Sequence, residues 1–323
     1  MKINKTVSII IPMKNEGSGL ASLFNRLLPI LNKLTINYEI VIINDGSTDD
    51  TLDQLLLWQQ RISALKIVDL SRNFGKEAAL YAGFDNCSGD CAVALDADLQ
   101  DPPELIIDMV EEWLNGFEII TAVRESRNSD SYFKRNSAGM FYKFMNKISD
   151  TKLTANAGDY RLLDRNAINA FLQLNERVRF NKGLLTWIGF KEKLLYHVRN
   201  ERVSGKSQWN YWKLFKLSVD GITSFSKAPL EIWFYLGIVI ASLGFVYAVY
   251  YLIRTILFGI DVHGYPSLLI FILMFSGLQM IGMGILGKYI GRIFIESKRR
   301  PIYLARKIYS GQNNINSFSD FEE

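Results

Sequence analysis

Short, continuous apolar runs alternate with helical patterns along the first 125 residues. The apolar runs are VSIIIP, YEIVIIN, LKIVDL, CAVALD and FEIITA. Helical spacing follows the first four runs, over residues 18–34, 48–61, 75–84 and 103–115. Continuous rather than alternating apolar positions are typical of a parallel sheet that helices cover on both faces. The pattern therefore predicts an α/β fold built from βαβ units, in which ligands bind at the carboxyl ends of the strands.

Polar and turn-forming residues occur at the ends of three of the predicted strands. In order, these residues are Pro12, Asn15 and Glu16; Asn44, Asp45, Gly46 and Ser47; and Asp96 and Asp98. Two carboxylates two positions apart, brought round by a turn, can offer oxygens to one Mg²⁺ or Mn²⁺ and leave coordination sites open for substrate phosphates. The alternative is a solvated acidic turn that precedes a helix beginning near Pro102. A metal-bridged diphosphate is our first hypothesis.

Two long runs near the C-terminus contain no formal charge. They cover residues 232–253 and 262–287, with His263 counted as neutral, and each exceeds the ~20 residues that a membrane-spanning helix needs. We predict two transmembrane helices, about 231–255 and 265–289, in a hairpin over residues 230–290. Basic residues flank this hairpin on its outer sides: Lys206, Lys213, Lys216 and Lys227 before it, and Lys288, Arg292, Lys298, Arg299 and Arg300 after it. The positive-inside rule then places the N-terminal domain in the cytoplasm, below a multi-pass inner (plasma) membrane segment.

The remaining boundaries follow from composition. Residues 1–207 are the predicted catalytic domain, and residues 208–229, with tryptophans among lysines, indicate an interfacial amphipathic helix. Residues 291–323 are predicted to be a cytoplasmic basic segment with a flexible tail. Glycines near the end of the second span, at positions 282, 284, 287 and 291, allow close helix packing and make a homo-oligomer plausible.

Several classes of protein are disfavoured. The N-terminus has no signal-peptide pattern, and two cysteines, Cys87 and Cys91, suit small buried positions in a reducing compartment. Neither the dinucleotide-binding pattern G-x-G-x-x-G nor the P-loop pattern G-x-x-x-x-G-K-[ST] occurs. The net charge of +4 is modest, so the basic residues near the spans favour anionic lipid headgroups over nucleic acid.

Four segments, SIIIPMKNE, IVIINDGSTDDT, SRNFGKEAAL and ALDADLQDPPE, occur in an order and spacing that resemble the family 2 glycosyltransferases. The resemblance extends over residues 7–300. It is strongest to the branch that loads sugars onto polyprenyl phosphates, the dolichol-phosphate mannose synthases and bactoprenol glucosyltransferases. It implies a GT-A (Rossmann-like, mostly parallel) catalytic domain followed by the membrane hairpin. The Q-x-x-R-W motif of processive polysaccharide synthases is missing, which disfavours a polymer-making enzyme.

The resemblance also implies roles for individual residues on the donor side. It places Pro12, Glu16 and Asp45 near the nucleotide, and Lys76 near the diphosphate. Asp96 and Asp98 match the metal-binding pair, and Gln100 matches a position that supplies a further oxygen. The alternatives are turn formation for the NDGS segment and a solvated lysine at a helix start.

On the acceptor side, the resemblance implies that basic residues meet the lipid phosphate. The matching residues are Arg124, Lys134, Arg135, Ser137 (the weaker candidate) and Arg202. Arginine suits phosphate because its planar guanidinium can donate two parallel hydrogen bonds. The alternative for this set is an ordinary charged helix face. Gln208 stands where many relatives have lysine, which puts one basic contact in doubt.

Asp159 matches an acidic position that is a candidate catalytic base in the bactoprenol branch. Chemistry allows it to remove a proton from the acceptor phosphate, or to orient Arg161 or a sugar hydroxyl. It could also cap the helix expected over residues 161–172. We favour the orienting role, because a phosphate with a second pKa of about 6 is mostly ionised at neutral pH.

Together these inferences predict a metal-dependent, inverting glycosyltransferase. It would move a hexose from UDP-glucose to undecaprenyl phosphate at the cytoplasmic membrane face. One alternative is the same reaction with mannose, an N-acetylhexosamine or a modified pentose. The other is a non-enzymatic membrane module in which the metal site is structural and the hairpin binds a sugar-lipid flippase.

Overall fold

The computed structural model of the protein describes residues 3–124, 157–177, 179–198, 228–258 and 264–310. The strands are β1 Ile3–Met13, β2 Ile36–Asn44, β3 Leu65–Leu70, β4 Cys91–Ala94, β5 Ile119–Arg124, β6 Ala157–Asp164, β7 Glu192–His197 and β8 Ala305–Ser310. The helices are α1 Leu20–Leu31, α2 Thr51–Gln59, α3 Lys76–Asn86, α4 Leu105–Leu114, α5 Arg165–Leu172, α6 Asn181–Trp187, α7 Ala228–Phe258 and α8 Tyr265–Ser297. The five strands and four helices expected in the first 125 residues are therefore present.

The strands form one sheet in the order β7-β5-β6-β4-β1-β2-β3-β8. Strand β1 pairs in parallel with β2 and β4, β2 with β3, and β5 with β7. Strand β6 is antiparallel to both of its neighbours, β4 and β5, and β8 is antiparallel to β3. The predicted mostly parallel α/β architecture is confirmed.

Helices cover both faces of the central strands, which explains the continuous apolar runs. Ile9 and Ile11 of β1 belong to a fully buried cluster that includes Phe24 of α1 and Met109 of α4. Ile10 points to the other face, where α3 approaches so closely that a Cβ at Gly83 would overlap the Ile10 side chain. The sheet core therefore places the loops after β1, β2 and β4 side by side at one edge.

Strand β6 corrects the sequence interpretation of residues 161–172. The first four of these residues, RLLD, lie in β6, and the helix begins only at Arg165. Leu162 and Leu163 are both fully buried, one on each face of the sheet, so a strand buries more apolar surface here than a helix turn would. Asp164 is the N-cap of α5 and accepts a hydrogen bond from the Asn166 amide at 2.8 Å. The helix-capping role considered for Asp159 is therefore wrong.

Strand β8 lies within residues 291–323, for which no strand was predicted: residues 305–310 form an edge strand of the sheet. The predicted flexible tail after Ser310 lies outside the described residues. Ile308 and Tyr309 pair with Val68 and Ile67 of β3, and the Gln59 side chain donates to the Tyr309 carbonyl at 2.9 Å. A six-residue run containing two basic residues is too short and polar to be recognised without its partner strand. The sheet-containing unit thus includes residues beyond 300 as well as the N-terminal domain.

Helices α7 and α8 belong to a second compact unit. Both are long and apolar enough to cross a membrane, with mean hydropathies of 2.1 and 1.2 in their most apolar windows. Within this unit, a side chain at Gly282 would overlap the indole of Trp233, so the glycine allows close helix approach. The interfacial helix expected before α7, apart from its last two residues, and most of the turn between the spans lie outside the described residues. Insertion of α7 and α8 into a membrane stays a prediction.

The cap at Asp164 generates a stability prediction. Besides the Asn166 amide, Asp164 accepts a hydrogen bond from the Trp113 indole at 2.9 Å. We expect Asp164→Ala to lower the free energy of unfolding by about 1–3 kcal/mol, because a cap and a partner for a buried N–H are both lost. Asp164→Asn, which keeps one acceptor, should lose less. Thermal unfolding of the full-length protein in detergent measures both, and an unchanged midpoint for Asp164→Ala would contradict the capping assignment.

Candidate active site

A cleft of about 360 Å³ opens where β1, β2 and β4 end and α3 begins. The residues that line it are Pro12, Met13, Lys14, Glu16, Asp45, Asn73, Gly75, Lys76, Ala79, Asp96, Ala97 and Asp98. All the donor-side residues singled out in the sequence except Gln100 are therefore brought together. Their individual roles stay predictions.

The loops after β1 and β2 hold each other in place. Asn15 adopts a left-handed conformation with φ 57°, and its side-chain oxygen accepts a hydrogen bond from the Thr48 amide at 2.8 Å. Its own amide donates to the hydroxyl of Ser47 at 2.9 Å. The two loops therefore form one wall of the cleft, with Glu16 directly after the linking residue.

Asp45 both lines the cleft and organises its far side. Its two carboxylate oxygens accept hydrogen bonds from the amides of Phe74 at 2.7 Å and Gly75 at 3.0 Å. Gly75 has φ 94°, which glycine tolerates and most residues do not, and it immediately precedes α3. The turn-forming alternative for Asp45 is thus part of the observed structure, and its effect is to fix the start of the helix that presents Lys76.

Lys76 lies at the centre of the charged groups in the cleft. Its ammonium contacts Asp96 Oδ1 at 2.7 Å and Oδ2 at 2.9 Å, and Asp159 Oδ2 at 2.7 Å. These carboxylates raise the pKa of Lys76 although burial opposes the charged form. Lys76 is therefore a paired cation and not the solvated lysine of the alternative interpretation, even though nearly half of its side chain remains exposed.

Asp159 is held as a carboxylate. Burial would raise its pKa, but Lys182 and Lys76 outweigh this effect, and the pKa of Asp159 lies below its ordinary value. The Lys182 ammonium lies 3.8 Å from Asp159 Oδ1, whereas Lys76 contacts the other carboxylate oxygen, Oδ2. Asp159 is thus poorly suited to take up a proton near neutral pH.

Negative charge remains in excess in the cleft. Burial raises the pKa of Asp96, and Asp159 and Asp98 add to the increase. Burial also raises the pKa of Glu16, with a further contribution from Asp98. With Asp45, these groups make five carboxylates, which outnumber the three ammonium groups of Lys14, Lys76 and Lys182. Their oxygens are the donors that Mg²⁺ and Mn²⁺ prefer, so the residues present fit a divalent cation.

The chain after Asp98 turns sharply. Leu99 has φ 53°, a strained conformation for a leucine, and the Gln100 amide donates back to Asp98 Oδ1 at 3.2 Å. The Gln100 side chain is only 1% exposed and does not line the cleft; within the described structure, neither atom of its amide has a hydrogen-bond partner. The same described residues contain no cluster of three or more His, Cys, Asp or Glu suited to a metal. Gln100 as a metal ligand stays a prediction.

Of the residues predicted to contact the acceptor phosphate, the described structure includes Arg124. Arg124 lies at the end of β5, outside the residues that line the cleft, and pairs with the buried Asp101 at 3.5 Å. The other oxygen of Asp101 lies 3.1 Å from Nε2 of His197. The other predicted acceptor residues, Lys134, Arg135, Ser137 and Arg202, lie outside the described residues.

Sequence reasoning missed several residues at or near the cleft. Lys14 and Asn73 line it, and Lys182 reaches Asp159 from α6. Asn73 lies inside the segment SRNFGKEAAL and could have been singled out there. Lys182 lies in none of the four segments, and only the fold brings it to Asp159.

Comparisons with known proteins identify similar chains. A family model described as glycosyl transferase family 2 matches residues 8–172. An uncharacterized glycosyltransferase of Synechocystis sp. is 47% identical, over 94% of this chain and 95% of the relative. A prophage bactoprenol glucosyl transferase homolog of Escherichia coli K12 is 43% identical, over 94% and 99%. The bactoprenol glucosyl transferase of Shigella phage SfV is 44% identical, over 93% and 98%.

A similar solved structure is glucosyl-3-phosphoglycerate synthase from Mycobacterium tuberculosis, in complex with Mn²⁺, UDP-glucose and phosphoglyceric acid. It is 17% identical to this chain, with a TM-score of 0.46, and the match covers 68% of this chain and 78% of that one.

The ion pairs of Lys76 generate a pH-dependent prediction. In Lys76→Met, the carboxyls of Asp96 and Asp159 lose their shared cation. The folded-state pKa of Asp96, which burial already raises above the unfolded value of about 3.9, therefore rises further, and the pKa of Asp159 rises from its lowered value. Folding then binds protons, and the variant's stability falls as pH rises through the raised pKa values. We expect a loss in thermal midpoint that is large at pH 7.5 and smaller at pH 5. Lys76→Met/Asp159→Asn should recover part of it, and an equal loss at both pH values would contradict the assignment.

Proposed function

The chain belongs to glycosyl transferase family 2, and from this membership we propose that it transfers a hexose from a nucleotide diphosphate sugar to a polyprenyl phosphate. Its mostly parallel sheet has the GT-A fold. The proposed donor is UDP-glucose and the proposed acceptor is undecaprenyl phosphate. Support for this lipid comes from the relatives named bactoprenol glucosyl transferase, which match nearly their entire length to this chain.

The observation that supports the reaction most directly is the acidic cleft with Lys76 at its centre. Its volume of about 360 Å³ is within the range of small-molecule sites. Pro12, Glu16 and Asp45 line the side suited to a nucleoside, where a carboxylate oxygen can accept a base N–H or a ribose hydroxyl. Asp45 already accepts two amide hydrogen bonds, and its remaining lone pairs suffice for one more.

Asp96 and Asp98 are the residues that would hold Mg²⁺ or Mn²⁺. Such a cation, when bound, supplies positive charge where negative charge develops on the departing diphosphate. Because carboxylates outnumber ammonium groups, the cleft is net negative even before a nucleotide binds, and a cation would offset this charge.

The protein's own side chains then have distinct tasks. Lys76 stays protonated because Asp96 and Asp159 raise its pKa, so it can donate to a diphosphate oxygen. Asp159 orients the lysine ammonium groups and does not act as a strong base. An oxygen of the acceptor phosphate attacks the anomeric carbon as the bond to the diphosphate breaks, in a single displacement that inverts the configuration. The acceptor is already largely ionised, since its second pKa is about 6.

The two apolar helices support a membrane location. A polyprenyl acceptor presents its phosphate at the headgroup layer, and α7 and α8 are long enough to anchor the protein there. The excess of lysine and arginine on the outer flanks supports a cytoplasmic catalytic domain. Arg124, Lys134, Arg135, Ser137 and Arg202 are the proposed contacts of the acceptor phosphate.

A transfer assay tests the proposal. The full-length protein in detergent is incubated with undecaprenyl phosphate, Mg²⁺ or Mn²⁺, and radiolabelled UDP-glucose, UDP-N-acetylglucosamine, GDP-mannose or a UDP-pentose. We expect lipid-linked sugar from UDP-glucose. Asp98→Asn and EDTA should each lower turnover by about 10²-fold or more, because charge stabilisation of the leaving group is lost.

Three outcomes would contradict parts of the proposal. Transfer from a nucleotide sugar other than UDP-glucose would show that the proposed donor is wrong, and transfer from none of them would favour a non-enzymatic module. Turnover at the wild-type rate in EDTA would show that the reaction does not require a metal.

Asp159→Asn separates the orienting role from general-base catalysis. Because Lys182 and Lys76 lower the pKa of Asp159, we expect turnover to fall by about 10–10³-fold with a loss that is independent of pH between 6 and 8.5. A pH–rate profile at saturating donor provides the measurement. Recovery of turnover above pH 6, where the acceptor loses its second proton, would instead identify Asp159 as the base.

A further inference from the structure

The carboxylate of Asp159 lies between two lysines, of which only Lys76 belongs to a recognised motif. Lys76 makes close contacts with both Asp96 and Asp159. Lys182, from α6, lies 3.8 Å from Asp159, which is an ion-pair distance but too long for a hydrogen bond. One third of the Lys182 side chain is exposed. Its ammonium is therefore close to the ion pair of Lys76 and Asp159, although Lys182 is not among the residues that line the cleft. At 3.8 Å, its N–H donors are not committed to Asp159.

The backbone that presents Lys182 is held firmly by the preceding residue. Asn181 is only 2% exposed; its amide donates to Glu77 Oε2 at 2.9 Å, and its side-chain nitrogen donates to the Glu77 carbonyl at 3.0 Å. The side-chain oxygen of Asn181 accepts a hydrogen bond from Nε of Arg179 at 3.0 Å. The amide, the side-chain nitrogen and the side-chain oxygen of Asn181 therefore all make hydrogen bonds. The flexible side chain of Lys182 thus extends from a fixed backbone position.

This anchor links the two lysines. Glu77 follows Lys76 in the first turn of α3, and Asn181 precedes Lys182 at the start of α6. The Glu77–Asn181 contact therefore fixes the distance between the points from which both ammonium groups extend. Burial, with the charge of Asp159, raises the pKa of Glu77 to about 6. Burying the ionised form of Glu77 therefore costs free energy.

We propose that Lys182 is a further substrate-binding residue, whose ammonium donates to a phosphate oxygen in the space beside Asp159. The proposal rests on the function proposed above, in which a diphosphate and a lipid phosphate approach each other in an acidic cleft. A second ammonium offsets the repulsion that these anions meet from the carboxylates. Lysine suits this role because its three N–H donors can follow a moving phosphate.

Three variants of the full-length protein test the proposal by steady-state kinetics. Lys182→Met removes the ammonium and keeps the stem, Lys182→Arg keeps the charge, and Lys191→Met is the matched control. Lys191 lies over the ring of Phe117, whereas Lys182 lies beside Asp159. We expect Lys182→Met to raise the KM of one phosphate-bearing substrate about tenfold, as loss of a charge-assisted hydrogen bond would. Lys182→Arg should stay within about threefold of wild type, and Lys191→Met should be unchanged.

The substrate whose KM rises identifies the phosphate. An effect on UDP-glucose assigns Lys182 to the donor diphosphate, and an effect on undecaprenyl phosphate assigns it to the acceptor. A KM unchanged for both substrates would overturn the proposal.

The Asp159→Asn background distinguishes binding from positioning. If Lys182 contacts the substrate, Lys182→Met should still raise KM severalfold when Asp159 is already asparagine. If Lys182 only positions Asp159, the second substitution should add nothing, and the proposal would be wrong.

Equilibrium binding of UDP and of undecaprenyl phosphate to the wild type and to Lys182→Met separates this proposal from the transfer reaction. Weaker binding of one ligand to Lys182→Met supports the contact even if no sugar is transferred. Equal binding of both ligands, or no binding of either to the wild type, would overturn it whatever the transfer assay shows.

Discussion

The ammonium of Lys76, held between Asp96 and Asp159, is the interaction on which the cleft depends. Asp96 follows β4, whereas Asp159 lies in β6, far along the chain. The two carboxylates meet because β6 pairs with β4 in antiparallel fashion. In that register Arg161 lies opposite Ala94, so Asp159 reaches the edge of the sheet just where the chain leaves β4 for Asp96. Without the Lys76 ammonium between them, these two partly buried carboxylates would repel each other.

The same charge arrangement connects the fold to its proposed chemistry. Asp45 fixes the loop that presents Lys76, and Lys182 and Lys76 together keep Asp159 ionised. The remaining carboxylates of Glu16, Asp96 and Asp98 give the cleft a net negative charge. A site of this kind binds a polyanion only together with added positive charge. A divalent cation on the donor side and basic residues on the acceptor side would supply it, which is why both belong to the proposed function.

Local sequence patterns predicted the first half of the fold well, because β1 to β5 and the helices between them follow the βαβ rhythm of covered parallel strands. They failed at residues 161–164, where a short apolar run fits a strand or a helix equally and only the neighbouring strands decide. They also failed at β8, which pairs with β3 across more than 230 residues of chain. In the site, motif spacing indicated Asp45, Lys76, Asp96 and Asp98. The link between Glu77 and Asn181 spans 104 positions, and no local pattern reports it.

The most direct test of the account is an experimental structure of the full-length protein with UDP and Mn²⁺. We predict that the diphosphate lies in the cleft, with Mn²⁺ on Asp96 and Asp98 and the Lys76 ammonium within hydrogen-bond distance of a phosphate oxygen. The uracil should lie near Pro12 and Asp45. A nucleotide bound elsewhere, or a diphosphate in the cleft that contacts neither Lys76 nor a metal on this aspartate pair, would contradict the charge arrangement described for this edge of the sheet.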